Sequence, residues 1–243
     1  MTRRAIAAQS RVELLLTLRR GENVLVTLLI PIATLVFFTK VDAVTTEYDD
    51  PVDFLVPGIL ALSVMAAAMV GLGISTGFER RYGVLKRLGS TPLGRGGLLA
   101  AKTTTVLALE AIQVALVLAT GIALGWEPQG SLLAAAAVIV IGTVAFAGIG
   151  LLIAGTLRAD ATLAVANALF LVLLFLGGMA YPLDDLPRVL EQIAGILPAA
   201  AFSETLRATL TDGASFPTGS LAVLLTWAVA APLAAATWFR WEE

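Results

Sequence analysis

The 243-residue sequence contains no cysteine and no histidine, and only 14% of its residues are charged. Disulfides and thiol nucleophiles are therefore excluded, and so are the commonest metal ligand and general base. The sequence also has no G-x-x-x-x-G-K-[ST] motif, so we do not expect it to hydrolyse ATP through a phosphate loop. These absences predict a protein that is not an enzyme, binds no cofactor directly and has no nucleic-acid partner.

Apolar residues dominate instead: 58% of the chain is hydrophobic and the mean hydropathy is +0.89. Because a helix rises about 1.5 Å per residue, roughly 20 apolar residues cross a hydrocarbon core of about 30 Å. We predict an all-α integral membrane protein in which residues 1–243 form one domain of six transmembrane helices. A cleavable signal peptide is the alternative for the first span, although the polar leader before it is long for one. The predicted spans are 24–39, 54–77, 103–124, 132–157, 161–180 and 220–239.

The distribution of lysine and arginine gives an expected orientation, because cytoplasmic loops retain positive charge. In this arrangement of spans, 13 of the 16 Lys and Arg residues lie on one side, and only Lys40, Arg188 and Arg207 lie on the other. We therefore expect both termini in the cytoplasm. The abundance of arginine and alanine is typical of a GC-rich bacterial genome, which would make this a multi-pass protein of the bacterial plasma membrane.

Three segments are not predicted to span. Residues 5–20 mix arginines with apolar residues and predict an interfacial amphipathic helix. Residues 78–102 form a basic cytoplasmic loop. Residues 181–218 form a long outer loop whose apolar run, 193–202, is too short to cross and should lie at the surface or re-enter partway.

The basic loop carries the most specific pattern. Its apolar residues recur at spacings of four and three, which predicts that Phe78, Tyr82, Leu85 and Leu88 share one face of a helix. We expect that helix to end at Gly89 and Pro92. The charge alone could serve topology and contacts with anionic lipid head groups. Charge alone would not explain Glu79, nor the order of a helix, a turn and a glycine-rich segment that starts the next helix. We therefore expect a partner to dock here.

Glu110 is the only acidic residue placed well inside a predicted span. Because burying a carboxylate in a membrane is costly, it is a candidate proton or ion site. The alternative is a structural role, protonated or hydrogen-bonded to Gln113, Asn167 or a backbone group. A proton-coupled secondary transporter using Glu110 is thus a second hypothesis.

Two acidic pairs suggest a third hypothesis, a lipid-modifying enzyme. Asp49 with Asp50, and Asp184 with Asp185, could hold Mg²⁺ against a substrate phosphate. Both pairs fall on the outer side, and Asp49 with Asp50 has no basic partner close by, which favours solvated acidic loops.

Small residues recur at helical spacing and predict close helix packing, either within the chain or in a dimer. They include Gly73 with Gly77, Gly121 with Gly125, and the set Gly142, Gly148, Gly150 and Gly155.

Two motifs make the sequence resemble the membrane subunit of type-2 ATP-binding-cassette exporters. The first is FERRYGVLKRLGSTPLGRGGLLAAK, between the second and third spans. The second is GGMAYPLDDLPRVLEQIAGILPAAAFSETLRATLTDG, before the last span. Together they cover about 60 residues, and the six-span layout covers the rest.

The resemblance implies an ATP-driven export permease for a lipophilic or amphipathic substrate such as a drug, lipid or lipid-linked glycan. ATP and Mg²⁺ would bind to separate ATPase subunits, and a second permease chain, identical or not, would complete the complex within the membrane lipids. The resemblance also implies that 78–102 contains a coupling helix that docks on the ATPase, and that Pro182, Pro187 and Pro198 mark an outer gate. Its docking residues would be Glu79, Arg80, Arg81, Tyr82, Gly83, Leu85, Arg87, Leu88, Thr91 and Pro92.

Overall fold

The computed structural model describes residues 3–19, 21–41, 51–89, 94–179, 182–183, 186–211 and 215–242. Most of these residues are helical. The helices are α1 (Arg3–Arg19), α2 (Gly21–Val41), α3 (Pro51–Met65), α4 (Leu72–Arg81), α5 (Val84–Gly89), α6 (Gly94–Ala123), α7 (Leu132–Thr156), α8 (Ala159–Leu176), α9 (Arg188–Ala194), α10 (Pro198–Leu210) and α11 (Thr218–Trp238). A π-helical segment, Ala66–Gly71, joins α3 to α4 without a break.

Within the described ranges, five helices are long and apolar enough to cross a membrane. They confirm a multi-pass helical membrane protein and correspond to the second to sixth predicted spans. The third begins at Gly94 rather than at residue 103, because the helix continues through the basic end of the loop. The predicted first span lies in α2, where the part with described side chains, Thr27–Val41, is apolar. The spanning helices are Pro51–Arg81, Gly94–Ala123, Leu132–Thr156, Ala159–Leu176 and Thr218–Trp238.

Helix α7 lies at the centre of the bundle and packs against α4, α10 and α11. Rings from neighbouring elements occupy the positions that its glycines leave open. A Cβ on Gly142 would lie 2.5 Å from the Phe202 ring, and one on Gly148 would lie 2.6 Å from Pro232 Cδ. The small residues of α7 therefore serve packing within the chain.

The closest backbone approach joins α7 to the π-helical segment. A Cβ on Gly150 would lie only 2.5 Å from the carbonyl oxygen of Met69, and Gly73 in turn faces Gly150. A side chain at either glycine would push the two helices apart. This contact fixes the height of α4, and hence of the basic loop that follows it.

The outer loop builds two helices. Pro187 precedes α9 as its N-cap, and Pro198 is a first-turn residue of α10, where its missing N–H costs no hydrogen bond. Pro182 precedes both helices in the chain and is half-buried. Helix α10 is buried against α3, α7, α8 and α11, so residues 198–202 of the apolar run insert into the bundle, whereas Ile193 and Ile196 before them are exposed.

Polar contacts hold α10 in place. Ser203 donates to the carbonyl of Gly177, and Arg207 Nη2 donates to Gly178 O at 3.0 Å. The Arg207 guanidinium also lies 4.2 Å from the centre of the Phe54 ring, a cation–π contact with α3. The end of the bundle predicted to face outward is therefore packed around α10.

Candidate functional site

The first part of the basic loop folds as the end of α4 and the short helix α5, which are joined at a tight turn. Gly83 has a φ of +71°, a left-handed conformation that favours glycine, and its N–H donates to Arg80 O at 3.0 Å. The turn ends α4 and starts α5 in a new direction. The prediction of one continuous helical face from Phe78 to Leu88 is therefore wrong, because the spacing rule assumes an unbroken helix.

The turn divides the predicted docking residues into exposed and buried groups. Tyr82, at the tip, is 72% exposed, while Leu85 on α5 is fully buried. Arg81 and Arg87 are exposed, and Leu88 and Gly83 are half-buried. Thr91 and Pro92 lie outside the described residues. The surface available to a partner is thus the tip formed by Arg81, Tyr82, Val84, Lys86 and Arg87, called the docking tip below.

Two arginines anchor the docking tip to the turn between α7 and α8. Arg80 is buried and donates from Nη2 to the carbonyl oxygen of Leu157. Arg81 makes a forked contact, with Nη1 lying 2.9 and 3.0 Å from the two carboxylate oxygens of Asp160. Arg80 therefore contributes to this site by positioning α4, and its predicted direct contact with a partner remains a prediction.

A buried lysine links three helices behind the docking tip. Lys102 on α6 is 2% exposed, and its Nζ lies 2.7 Å from Glu79 Oε2 on α4 and 3.5 Å from Glu13 Oε1 on α1. Glu79, expected to meet a partner, thus has an internal partner in this chain. We call Glu13, Glu79 and Lys102 the lysine cluster. It is the feature of this site that the sequence analysis missed, although a lysine at the start of a predicted span was a signal for it.

Hydroxyl groups add to the contact between α1 and α6. Ser10 Oγ donates to Ala101 O at 3.2 Å, and Thr105 Oγ1 lies 3.3 Å from Ser10 O. On the other side of α1, Val12, Leu15 and Leu16 are about half exposed. The predicted amphipathic helix is present, with its polar side against α6 and apolar residues free to meet lipid.

Glu110 is 1% exposed and lies between α6 and α7. Its Oε2 is hydrogen-bonded to the hydroxyl of Thr143, which also lies 2.9 Å from Ile139 O. Neither amide proposed from the sequence is its partner, because Gln113 and Asn167 bond to backbone carbonyls elsewhere. The Thr143 hydroxyl is directed at two acceptors, Glu110 Oε2 and the carbonyl oxygen of Ile139. Oε1 has no hydrogen-bond partner within the described residues.

Gln113 links α6 to α2. Its Nε2 donates to the carbonyl of Thr27 on α2 at 2.9 Å. In a regular helix that carbonyl would accept from the N–H of residue 31, but Pro31 has none. The amide of α6 therefore replaces the donor that proline removes from α2, which joins the two helices.

No group of three acidic residues in the described part of the chain is placed to hold a metal ion. Asp49, Asp50, Asp184 and Asp185 lie outside the described residues, so the paired-acid hypothesis remains a prediction.

The sequence is similar to a known family of transporters and to several membrane permeases. Residues 4–211 match the model of the family described as ABC-2 type transporter. The Escherichia coli (strain K12) protein named probable multidrug ABC transporter permease YbhS is 28% identical over 165 residues, which are 66% of this chain and 43% of that protein. The Bacillus subtilis (strain 168) protein named putative transport permease YvfS is 27% identical over 205 residues, 80% of each chain. The match with YbhS thus covers less than half of that relative's length.

Proposed function

Because the chain belongs to the ABC-2 type transporter family, we propose that it is the membrane permease of an ATP-driven export complex. Separate ATPase subunits bind ATP and Mg²⁺, and this chain supplies the path. The observation that carries the proposal is the docking tip: an exposed, basic turn with Tyr82 at its apex, fixed to the bundle on two sides by Arg80 and by the lysine cluster.

The contacts behind the tip explain how force from an ATPase would reach the spans. A push on the docking tip acts on α4, because Gly83 lies directly after its last turn. Arg80 and Arg81 pass that movement to the turn before α8, while Glu79 passes it through Lys102 to α6 and through Glu13 to α1. The tip and four helices then move together when two ATPase subunits close on ATP.

The proposal includes six spans, with α2 as the first. Its 21 residues rise about 32 Å, enough to cross the core, and Lys40 at its end is exposed and can extend to the interface. With the docking tip in the cytoplasm, both termini are cytoplasmic and α9 and α10 face outward. The protein would sit in the bacterial plasma membrane.

A second permease chain, identical or different, completes the complex. Helices α6, α8 and α11 expose most of their apolar surface in the single chain, so lipid or a second copy must cover them. The cargo is lipophilic or amphipathic: a drug, a lipid or a lipid-linked glycan. The multidrug name of the Escherichia coli relative supports a drug-like cargo.

Cross-linking tests the docking directly, because the chain has no cysteine and any introduced cysteine is unique. Tyr82→Cys, expressed with the ATPase, should cross-link to a cysteine placed in the ATPase groove, and the yield should change with ATP. Arg188→Cys, exposed at the opposite end of the bundle, is the matched control and should not cross-link. Equal yields at the two positions would refute docking at the tip.

Coupling is tested by Tyr82→Ala and Arg87→Ala in reconstituted vesicles. Transport should fall while the ATPase subunits keep their basal hydrolysis, because both exposed side chains belong to the proposed docking surface. Arg188→Ala should leave transport unchanged. Transport that survives both tip substitutions would exclude this surface as the coupling element.

A proton-coupled secondary transporter is the second candidate, and the isolated carboxyl of Glu110 favours it. Glu110→Gln preserves the size and the hydrogen bond to Thr143 but removes the titratable group. Transport driven by a pH gradient without ATP, and lost in Glu110→Gln, would support this candidate. ATP-dependent transport that persists in Glu110→Gln would support the permease.

A further inference from the structure

A cavity of about 350 Å³ lies at the end of the bundle where α6 begins and where α7 and α11 end. It is separate from the docking tip. Its volume is at the lower end of those typical of ligand sites. The lining residues are Arg95, Thr156, Thr237, Trp238, Phe239 and Arg240.

The cavity is positively charged. Arg95 Nη1 makes one long hydrogen bond, 3.4 Å, to Thr237 O, and a guanidinium has five N–H donors in all. The backbone N–H of Arg240 donates to Gly155 O at 3.0 Å, which fixes this residue at the end of α7. Neither guanidinium has a carboxylate partner within the described residues, and the nearby Glu242 is paired with Lys86 at 3.1 Å.

The hydroxyl groups of the cavity do not offer competing donors. Thr156 Oγ1 donates to Leu152 O at 2.7 Å, and Thr237 Oγ1 donates to Ala234 O at 2.9 Å. The available side-chain N–H groups therefore belong to the two arginines and to the indole of Trp238. Such a set suits an anionic group with several acceptor oxygens, which a guanidinium binds in a forked geometry.

The surroundings indicate where the anion comes from. Trp238 is 64% exposed beside the cavity, whereas Phe239 is buried beneath it against Gly155. Farther along α11, Val229 and Leu233 are exposed apolar residues. An exposed tryptophan at the end of an apolar helix is typical of the membrane interface, the level at which lipid phosphates lie.

We propose that this cavity binds the phosphate of an anionic phospholipid through Arg95 and Arg240. Trp238 packs beside the lipid where its head group meets the acyl chains. The site lies at the same end of the bundle as the docking tip, because Lys86 on α5 is paired with Glu242. The proposal requires α11 to span the membrane but does not depend on ATP-driven transport, so the two can fail separately.

Native mass spectrometry of the purified chain with phosphatidylglycerol tests the site. The double variant Arg95→Gln/Arg240→Gln should bind the lipid about 25-fold more weakly, at about fivefold for each basic residue near the anion. The matched control, Arg158→Gln/Arg188→Gln, removes two exposed arginines outside the cavity and should keep the affinity of the parent chain. Arg240→Lys retains the charge but cannot make the forked contact of a guanidinium. Its affinity for phosphatidylglycerol should therefore lie between those of the two double variants.

Two further arms separate lipid from other ligands. Phosphatidylcholine, whose choline cation offsets the phosphate charge, should bind the parent chain more weakly than phosphatidylglycerol and should lose less affinity in the double variant. Inorganic phosphate at matched concentration should not displace phosphatidylglycerol from the parent chain. Equal phosphatidylglycerol affinity in the two double variants would overturn the site. Variant-sensitive binding of inorganic phosphate without retention of the lipid would overturn the assignment to a lipid.

Discussion

Replacing Lys102 by methionine is the most direct test of the lysine cluster. The substitution keeps the length of the side chain but removes the ammonium group, which leaves the carboxylates of Glu13 and Glu79 without their cation. Breaking a fully buried pair in this way costs about 3–5 kcal/mol. Glu79 is 35% and Glu13 is 15% exposed, so water screens part of that cost. We therefore expect a loss of about 2–3 kcal/mol in the free energy of unfolding.

The chain provides a matched control in a second lysine–glutamate pair. Lys86 and Glu242 lie 3.1 Å apart, but their side chains are 66% and 62% exposed. The same change, Lys86→Met, should cost less than about 0.5 kcal/mol, because water solvates the remaining carboxylate. Burial is the main difference between the two pairs. The difference between the unfolding free energies lost in Lys102→Met and in Lys86→Met therefore measures the effect of burial.

Unfolding by SDS titration in mixed micelles gives the free energies, and limited trypsin digestion after Arg11 reports whether α1 has detached from α6. Adding Glu79→Gln to Lys102→Met should recover about 1 kcal/mol, because one uncompensated charge disappears. If Lys102→Met and Lys86→Met destabilise the chain equally, the lysine cluster does not hold α1, α4 and α6 together.

Three other substitutions test the packing of the bundle. Gly150→Ala should cost about 1–3 kcal/mol, because its Cβ would meet the Met69 carbonyl at 2.5 Å; Gly96→Ala, where nothing lies within 4 Å, is the control, and equal stability of the two would exclude the close contact. Gln113→Leu should lower the free energy of unfolding by about 1 kcal/mol, because it removes the amide that donates to the Thr27 carbonyl. Adding Pro31→Ala should recover that loss, because it restores the helical N–H. If the double variant shows no recovery, Gln113 does not replace the donor that Pro31 removes. Arg207→Leu should cost about 1–2 kcal/mol through loss of the bond to Gly178 and the cation–π contact with Phe54, measured by SDS titration, and a loss no larger than that of Arg188→Leu would show that these contacts do not stabilise α10.

The spans could be predicted because their signal is local. A run of apolar residues from Leu132 to Thr156 can be recognised without knowing its neighbours, and the thickness of the membrane sets its length. The start of α6 was placed too late for a related reason. Arg95 and Lys102 were counted as loop residues by their charge, whereas Lys102 is buried beside two carboxylates that the sequence places far away.

Contacts between helices could not be predicted in the same way. The partner of Glu110 depends on the height at which α7 lies beside α6, and that height is set by backbone contacts such as Gly150 with Met69. Thr143 is one of several hydroxyl residues in the chain, and nothing in its local sequence selects it. The direction of α5 likewise depends on the left-handed conformation of one residue, Gly83, which periodicity does not report.

The lysine cluster also has a consequence for the biogenesis of the protein. Its two carboxylates are made first and its single cation last, since Glu13 and Glu79 both precede Lys102 in the chain. Until α6 leaves the ribosome, α1 has no cation to hold it and must wait at the membrane surface, where its apolar side can rest on lipid. The link between α1 and α4 through Lys102 can therefore form only after α6 has been synthesised.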